Sequence, residues 1–379
     1  MPRENASPPR PPRQLPPWAL ALITVAATGL SLVVFALFDH VIPRAEQDAA
    51  YVSQATQAVY DSFLAQALPE PATTAAPGPA AQPGAGDPVD PAPDTPADAP
   101  AETTVPPAVD ESLIAAQAAV GDFSAKFADK FTDGEVIATD TTYQSANVNI
   151  TLSRITGKIG DYEQVCFVED IYIRNIDCLR TVLAKDKFGR SLTEDALSMS
   201  RRANALCAIN ADFYSFGNAG IVIRNGVLYR DRYQTDEEVL VIFRNGSMEV
   251  FSKASQMDME ALMARGAWQA FSFGPSLLNE QGELRARYKS VNHDPRTIIG
   301  MVEPGHYLFI VVDGRQNGYS EGLTYYESAL LAQRLGCTVA FNLDGGKTTQ
   351  MLFDDRVVNK PYKGGRDTSD LICIADISR

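Results

Sequence analysis

Alternating hydrophobic and polar positions predict a series of β-strands in the second half of the chain. Neighbouring side chains of a strand point to opposite faces, so a half-buried strand alternates in hydrophobicity. This alternation, with short apolar runs bounded by Gly, Asn and Asp, predicts strands over residues 147–153, 165–173, 205–209, 220–229, 238–243, 248–251, 306–312, 338–341 and 371–375. The pairs Asn225-Gly226 and Asn245-Gly246 are typical of tight hairpin turns.

Apolar residues at helical spacing occur in four other places. They predict helices over residues 111–131, 193–202, 258–265 and 325–335. Many strands with a few inserted helices predict a single strand-rich domain of the α+β class. We place this domain at residues 111–379.

The apolar run at residues 18–38 is of a different kind, since it holds 21 residues without a charge. That length is what a helix needs to cross a bilayer. Arg3, Arg10 and Arg13 precede the run, so the positive-inside rule predicts a cytoplasmic tail at 1–17 and an extracytoplasmic remainder. A cleaved signal peptide is the alternative. The pattern favours a single-pass anchor in the cell membrane, with the lipid bilayer as a partner.

Composition separates this anchor from the domain. Residues 39–68 are rich in Ala and Gln and predict a helical stalk. Twelve of the 24 prolines then lie between residues 69 and 107. A segment rich in Pro and Ala predicts a disordered, semi-extended linker, which we place at 69–110. Eight prolines precede this linker and only four follow it, and this change marks the domain boundary.

Charge excludes one class of partner. The formal net charge is −14, but residues 45–125 hold twelve acids and no Lys or Arg, so the domain itself is close to neutral. It has no basic patch with interleaved aromatic residues, which excludes nucleic acid as a predicted partner. The five cysteines match no zinc pattern. Cys166 and Cys178 either form a disulfide or are small buried residues of strands.

Four clusters of polar residues follow or precede apolar runs, as expected for strand ends. The most informative is Asn342-Leu-Asp344-Gly345-Gly346-Lys347-Thr348-Thr349, which combines an amide, a carboxylate, an ammonium group and two hydroxyls. The glycines let the backbone approach a ligand closely. The others are Asn210-Ala-Asp212-Phe-Tyr214, His293-Asp-Pro-Arg296-Thr297, and Asp313-Gly-Arg315 with Ser320-Glu321-Gly322. Lys363-Gly-Gly-Arg366 adds further cations. This chemistry suits a sugar and a phosphate.

In these motifs the chain resembles the phosphodiester glycosidases. The family includes enzymes that remove N-acetylglucosamine from a phosphodiester, and bacterial proteins described as exopolysaccharide biosynthesis proteins. The resemblance covers about residues 140–377 and includes the clusters above, in the family's order. It also includes the segments at 220–230, 272–275, 359–361 and 366–370. Lys347 departs from the pattern, because the family usually has a third glycine there.

The resemblance implies hydrolysis of a sugar-1-phosphodiester at the sugar side, in a glycopolymer or sugar phosphate of the cell envelope. It implies that the catalytic carboxylates are among Asp313, Asp344, Asp212 and Glu321. Arg296 and Arg315 suit phosphate, because a guanidinium binds two phosphate oxygens at once. Further substrate contacts are expected from Asn210, Asn342, Gly345, Gly346, Lys347, Thr348, Thr349 and Arg366.

Several alternatives remain open from the sequence. The pair Asp313-Gly314 is also a common turn, and Glu327 pairs either with substrate or with a neighbouring side chain. No cofactor is required, and a Ca²⁺ or Mg²⁺ bound by carboxylates is left open. A metal-dependent phosphodiesterase that cleaves at phosphorus and a non-catalytic glycopolymer-binding or assembly factor are the competing functions.

Overall fold

Antiparallel pairing joins the strands into three sheets. The structure is a computed structural model that describes residues 119–159, 161–233, 237–279, 281–285 and 292–378. The predicted cytoplasmic tail, membrane anchor, stalk and linker lie outside these residues, and so does the start of the predicted helix 111–131. Within the part described, no helix is long and apolar enough to cross a membrane.

The described residues form 18 strands and three α-helices, with short 3₁₀ turns between them. In chain order the strands are β1 (Ile137–Ala138), β2 (Thr142–Gln144), β3 (Val148–Ile159), β4 (Tyr162–Ile173), β5 (Leu179–Leu183), β6 (Cys207–Asn210), β7 (Gly220–Arg224), β8 (Val227–Arg232), β9 (Val239–Phe243), β10 (Met248–Phe251), β11 (Ala267–Phe271), β12 (Ser276–Leu278), β13 (Arg296–Glu303), β14 (His306–Val312), β15 (Val339–Asn342), β16 (Met351–Phe353), β17 (Arg356–Val357) and β18 (Asp370–Ile374). The helices are α1 (Ala196–Arg202), α2 (Met259–Ala264) and α3 (Tyr325–Arg334).

Sheet one is eight-stranded, in the order β1-β2-β3-β4-β14-β13-β15-β12. Sheet two has the order β10-β9-β11-β7-β8, and sheet three has the order β17-β16-β6-β18-β5. One face of every sheet contributes to a common central core, with Phe309 from sheet one, Phe271 from sheet two and Ile209 from sheet three among its members. Burial of this apolar surface is the main stabilising term of the fold.

Each sheet is covered on its other face by one helix. Leu330 of α3 packs with Ile310 of sheet one, and Leu262 of α2 packs with Val241 of sheet two. Met199 of α1 packs against sheet three. Each helix begins at a side chain that accepts a backbone N–H: Asp195, Asp258 and Thr324. Such caps satisfy donors that the first helical turn leaves unpaired. The result is a strand-rich domain with three short helices.

The predicted elements are largely confirmed, with two corrections. The segment 220–229 is two strands, β7 and β8, because Asn225 and Gly226 both have positive φ and form the expected hairpin turn. The predicted helix 111–131 is wrong over 121–131, where the chain forms turns and a short 3₁₀ segment. Gly121 has a φ of +81°, outside the helical range, and Phe123 and Phe127 beyond it pack into the central core.

All five cysteines are buried and free. The Cys166–Cys178 disulfide is therefore not formed, and the alternative prediction of small buried residues in strands and cores is the one confirmed. Burial raises the pKa of the Cys178 thiol to about 11 and that of Cys337 to about 12. These thiols are therefore protonated at neutral pH and unreactive as nucleophiles.

Candidate functional site

The polar clusters meet because their strands are neighbours. In sheet one, β13 lies between β14 and β15, with Arg296 opposite Val312 and Ile298 opposite Asn342. In an antiparallel sheet the start of β13 and the ends of β14 and β15 therefore share one edge. β6 of sheet three ends at Asn210, whose side-chain amide donates to the carbonyl of Asp344 at 2.6 Å. Two sheets thus converge on the segment 342–349.

An open cleft of about 320 Å³ lies at this edge. Eight of the predicted site residues line it: Arg296, Arg315, Asn342, Asp344, Gly345, Gly346, Lys347 and Arg366. The remaining lining residues are Phe273, Asp294 and Tyr325. Four cations and two carboxylates leave a positive excess in the cleft when both acids are ionised. Such a surface favours an anionic group.

Asp344 is the carboxylate of the cleft with the most perturbed environment. Its residue is only 5% exposed, and its Oδ2 accepts hydrogen bonds from Thr348 Oγ1 at 2.7 Å and Arg366 Nη2 at 3.3 Å. Burial raises the pKa of Asp344 from 3.8 to about 6, against the opposing effects of these two donors. A carboxyl that titrates near neutral pH, in a cleft, is suited to proton transfer or to stabilising a cation that forms beside it.

Two glycines keep the turn beside Asp344 close to its neighbours. A Cβ on Gly345 would lie 2.7 Å from the carbonyl oxygen of Pro295, which no side chain tolerates. Gly346 has a φ of +68°, and a Cβ there would lie 3.2 Å from the Arg315 guanidinium. The pair therefore lets the turn pack against the segment that begins β13, as expected for closely approaching backbones.

Asn210, Thr348 and Thr349 lie beneath the cleft and do not line it. Besides its bond to the Asp344 carbonyl, Asn210 accepts from Thr297 Oγ1 at 2.8 Å and from the Gln350 N–H at 3.0 Å. Its amide groups are therefore engaged within the protein, and its contribution is to hold the Asp344 turn. Thr348 contacts Asp344 from below. Thr349 is fully buried.

The arginines are held by carbonyls, a carboxylate and aromatic rings. Arg296 donates to the Leu323 carbonyl at 2.8 Å, and its guanidinium lies 4.0 Å from the centre of the Tyr325 ring. Arg315 donates from Nε to Asp294 Oδ1 at 2.8 Å. Its side chain is 43% exposed, so its outer face is open to a ligand. Burial lowers the pKa of Arg296, which nevertheless stays charged because guanidinium pKa values exceed 12.

Asn342 is oriented by its own hydrogen bonds. Its Nδ2 donates to the carbonyls of Gly274 at 2.8 Å and Leu343 at 2.9 Å. Two acceptors fix the amide group, so Oδ1 points the other way. That oxygen is buried and has no hydrogen-bond partner among the described residues. Asn342 therefore presents an acceptor, and no donor, to the cleft.

Asp212 belongs to a buried ionic cluster next to the cleft. Arg224 donates to Asp370 Oδ2 at 2.7 Å and lies 3.4 Å from Asp212 Oδ2. Asp212 also accepts from the N–H groups of Phe213 at 2.8 Å and Ser272 at 3.1 Å. All three charged residues are less than 5% exposed. Burial raises the pKa of Asp370, whereas the Arg224 guanidinium opposes that change.

Asp313 and Glu321 are not among the residues that line the cleft. Asp313 is 1% exposed and accepts from Tyr319 Oη at 2.9 Å, Asn359 Nδ2 at 2.8 Å and the Lys360 N–H at 2.9 Å. Burial raises the pKa of Asp313 and these donors oppose it. The carboxylate thus ties the end of β14 to the segment 359–360. Glu321 is half-buried, and its backbone carbonyl accepts from the Arg315 N–H at 3.1 Å.

Three cleft residues have no role in the sequence prediction: Asp294, Phe273 and Tyr325. The first two lie inside the motifs, but only their neighbours carry a predicted contact. Tyr325 is predicted only as the start of a helix. Glu327 caps that helix, with its carboxylate accepting from the Thr324 N–H at 2.8 Å, and it pairs with His293 at 3.2 Å. Among the described residues no group of three or more His, Cys, Asp or Glu is arranged to hold a metal ion.

Comparison with known proteins adds three findings. Residues 203–375 match the model of a family described as phosphodiester glycosidase. The catalytic domain of zebrafish N-acetylglucosamine-1-phosphodiester alpha-N-acetylglucosaminidase, auto-inhibited by its pro-peptide, has a TM-score of 0.50 and 16% identity. That alignment covers 64% of this chain and 88% of the zebrafish domain, and at this identity it shows a similar fold.

A Bacillus subtilis (strain 168) relative is the SPbeta prophage-derived uncharacterized protein YomE. It is 35% identical over 187 residues, which is 47% of this chain and 29% of that protein. The chain therefore spans less than a third of the length of this curated relative. A hypothetical protein from Synechocystis has a TM-score of 0.43 and 15% identity, over 63% of each chain.

Proposed function

Because residues 203–375 belong to the phosphodiester glycosidase family, we propose that this protein hydrolyses a sugar-1-phosphodiester at the bond between the sugar C1 and its oxygen. The observation that carries the proposal is Asp344. It is a buried carboxyl with a pKa near 6 in a cleft whose other charged groups are mostly cations.

The chemistry assigns the cations to the leaving group. Cleavage of the C1–O bond leaves a phosphate monoester anion, and positive charge develops on the sugar ring. The anion is a good leaving group, so it needs charge stabilisation more than a proton. Arg315, Lys347 and Arg366 line the cleft with cationic groups that suit this task, and Arg296 stands behind them.

The ionised carboxylate of Asp344 then acts on the sugar. It either stabilises the developing oxocarbenium ion directly or takes a proton from the attacking water, whose oxygen becomes the C1 hydroxyl. Asp212 is the second carboxylate of the proposed mechanism, since its charge acts on the Asp344 carboxyl across a short distance. Asp313 and Glu321 support the site from outside the cleft lining.

We further propose that the reaction takes place at the cell envelope, on a glycopolymer. The support is the apolar run at residues 18–38, the arginines before it and the proline-rich segment after it. These features suit a catalytic domain held outside the membrane by an anchor.

Isotope labelling tests the bond that is broken. The full-length chain is incubated with sugar-1-phosphodiesters in ¹⁸O-water, and the products are measured by mass spectrometry. The label is expected on the sugar. Label on the phosphate would instead indicate attack at phosphorus, as in a phosphodiesterase. Specific binding without any hydrolysis would indicate a glycopolymer-binding factor.

Protease accessibility tests the location. Protease added to intact cells is expected to release a soluble fragment by cutting within residues 69–110. The control is a cytoplasmic protein that must stay intact in the same cells. Release of the fragment only after lysis would contradict the proposed orientation.

A further inference from the structure

Phe273 is an aromatic side chain exposed within an otherwise charged cleft. It is 37% exposed and lines the cleft together with Asn342 and Asp344. A second open hollow, of about 450 Å³, lies beside the first, and Phe273 and Tyr325 border both. An exposed aromatic ring between two polar hollows contributes nothing to a core, so its apolar face is available to a ligand.

Asn342 fixes the segment that carries this ring. Its backbone N–H donates to the Pro275 carbonyl at 3.0 Å, and its side-chain Nδ2 donates to the Gly274 carbonyl at 2.8 Å. Phe273 is therefore attached to a rigid support rather than to an open loop end. The same residue directs its buried, unpartnered Oδ1 toward the cleft that it lines. A buried acceptor without a donor costs free energy until a ligand supplies one.

The groups that suit phosphate lie around a different part of the cleft. Arg315 adjoins Gly346, and Arg366 adjoins Asp344. An anion cannot donate a hydrogen bond to Asn342 Oδ1, because phosphate oxygens are acceptors at neutral pH. The cleft therefore has one side with donors and cations, and one side with an acceptor and an aromatic face. Asp344 follows Asn342 by two residues and lies between them.

We propose that Phe273 and Asn342 form the sugar-binding side of the cleft. Phe273 stacks on the apolar C–H face of a pyranose ring, and Asn342 Oδ1 accepts a hydrogen bond from one of its hydroxyl or N–H groups. The substrate class is thus a pyranose 1-phosphate derivative with a donor at that position. This inference rests on the proposed function for the identity of the ligand, and it assigns Phe273 as a specificity-determining residue.

Binding measurements test the aromatic contact without requiring turnover. Calorimetric titration of the full-length chain compares a panel of hexopyranose 1-phosphates with methyl phosphate, which lacks the sugar. The wild type is expected to bind at least one sugar phosphate more tightly than methyl phosphate. Phe273→Leu should weaken that sugar phosphate by about threefold to tenfold, the loss expected for one aromatic contact, and leave methyl phosphate unchanged.

Tyr229→Leu is the matched control, because Tyr229 is 39% exposed and does not line the cleft. It should change neither affinity, whereas Arg315→Leu should weaken both ligands. The inference is overturned if Phe273→Leu leaves the sugar phosphate affinity unchanged or weakens methyl phosphate equally. It is also overturned if no sugar phosphate binds more tightly than methyl phosphate.

Modified sugars test Asn342, since replacing Asn342 itself would release the Gly274 segment. In a monodeoxy series of the best ligand, one position should weaken binding by about tenfold, and fluorine at that position should not restore it. Equal affinity across the series would remove this role of Asn342.

The two proposals fail in different ways. If the predicted binding pattern holds while no hydrolysis is detected, the sugar-binding side stands and the proposed reaction fails. If hydrolysis is detected and Phe273→Leu leaves KM unchanged, the proposed reaction stands and the sugar-binding side is overturned.

Discussion

The side-chain amide of Asn210 donates a 2.6 Å hydrogen bond to the backbone carbonyl of Asp344. In return, the Asp344 N–H donates to the Ala211 carbonyl at 2.9 Å. This pair of bonds joins the end of β6 in sheet three to the end of β15 in sheet one. The carboxylate with the raised pKa therefore stands on a junction of two sheets, where its position is fixed by backbone contacts rather than by a loop.

Asp344→Asn removes the charge and keeps the shape of the side chain. If this carboxylate acts on the sugar, turnover should fall by about a hundredfold or more. The melting temperature should stay the same or rise, because burial already disfavours the ionised form. Steady-state hydrolysis and thermal melts measure both quantities. Unchanged turnover with a lowered melting temperature would make Asp344 a structural turn residue.

Asp313→Asn should act mainly on stability. The carboxylate accepts three hydrogen bonds, and an amide would place an NH₂ group against at least one of those donors. The free energy of unfolding should fall by about 1–3 kcal/mol, as for other buried polar groups that lose a partner. Turnover should fall less than in Asp344→Asn. A loss of turnover as large as that of Asp344→Asn, at unchanged stability, would restore Asp313 as a catalytic carboxylate.

The pH dependence of kcat/KM should report on Asp344. Its pKa lies near 6, so the ionised form that acts on the sugar is lost as the pH falls below about 6. The Arg366 guanidinium lowers this pKa, and Arg366→Met should therefore raise it and move the acidic limb to higher pH. Arg201→Met is the control, because Arg201 forms an exposed ion pair with Asp355. An acidic limb that stays in place in Arg366→Met would show that another group titrates.

Arg224→Met should strongly destabilise the domain. It would leave the carboxylates of Asp212 and Asp370 buried side by side without a counter-charge, a change that costs about 3–5 kcal/mol in comparable buried pairs. The double variant Arg224→Met/Asp370→Asn removes one of the two charges and should recover part of the loss. Urea unfolding of both variants measures the difference. Equal stability of the single variant and the wild type would contradict this role.

The site could be predicted from the sequence better than the sheets around it. Polar clusters at strand ends carry a local signal, and the family resemblance that they support is confirmed over residues 203–375. Pairing between strands distant in sequence leaves no local signal. The sequence pattern does not predict β13, although this strand starts at Arg296, since its residues are buried on both faces from Arg296 to Met301 and do not alternate.

The division of labour among the carboxylates also lies beyond the sequence. Asp313 and Asp344 both precede glycine at a strand end, so local pattern makes them equivalent. Their difference comes from contacts with remote segments. Asn359 and Lys360 enclose Asp313, whereas Asp344 faces a cleft. Phe273 has no sequence signal for a similar reason, because an aromatic residue after a strand is more often part of a core.

The part of the chain that precedes the family match is structurally inseparable from it. β4 pairs with β14 in the middle of sheet one, and β5 pairs with β18 at the border of sheet three. A protein trimmed to residues 203–375 would expose the hydrogen-bonding groups of both partner strands and open the central core to water. Unpaired strand borders of this kind promote self-association. Recombinant expression guided by the family boundaries alone should therefore yield insoluble material, and the earlier strands need to be retained.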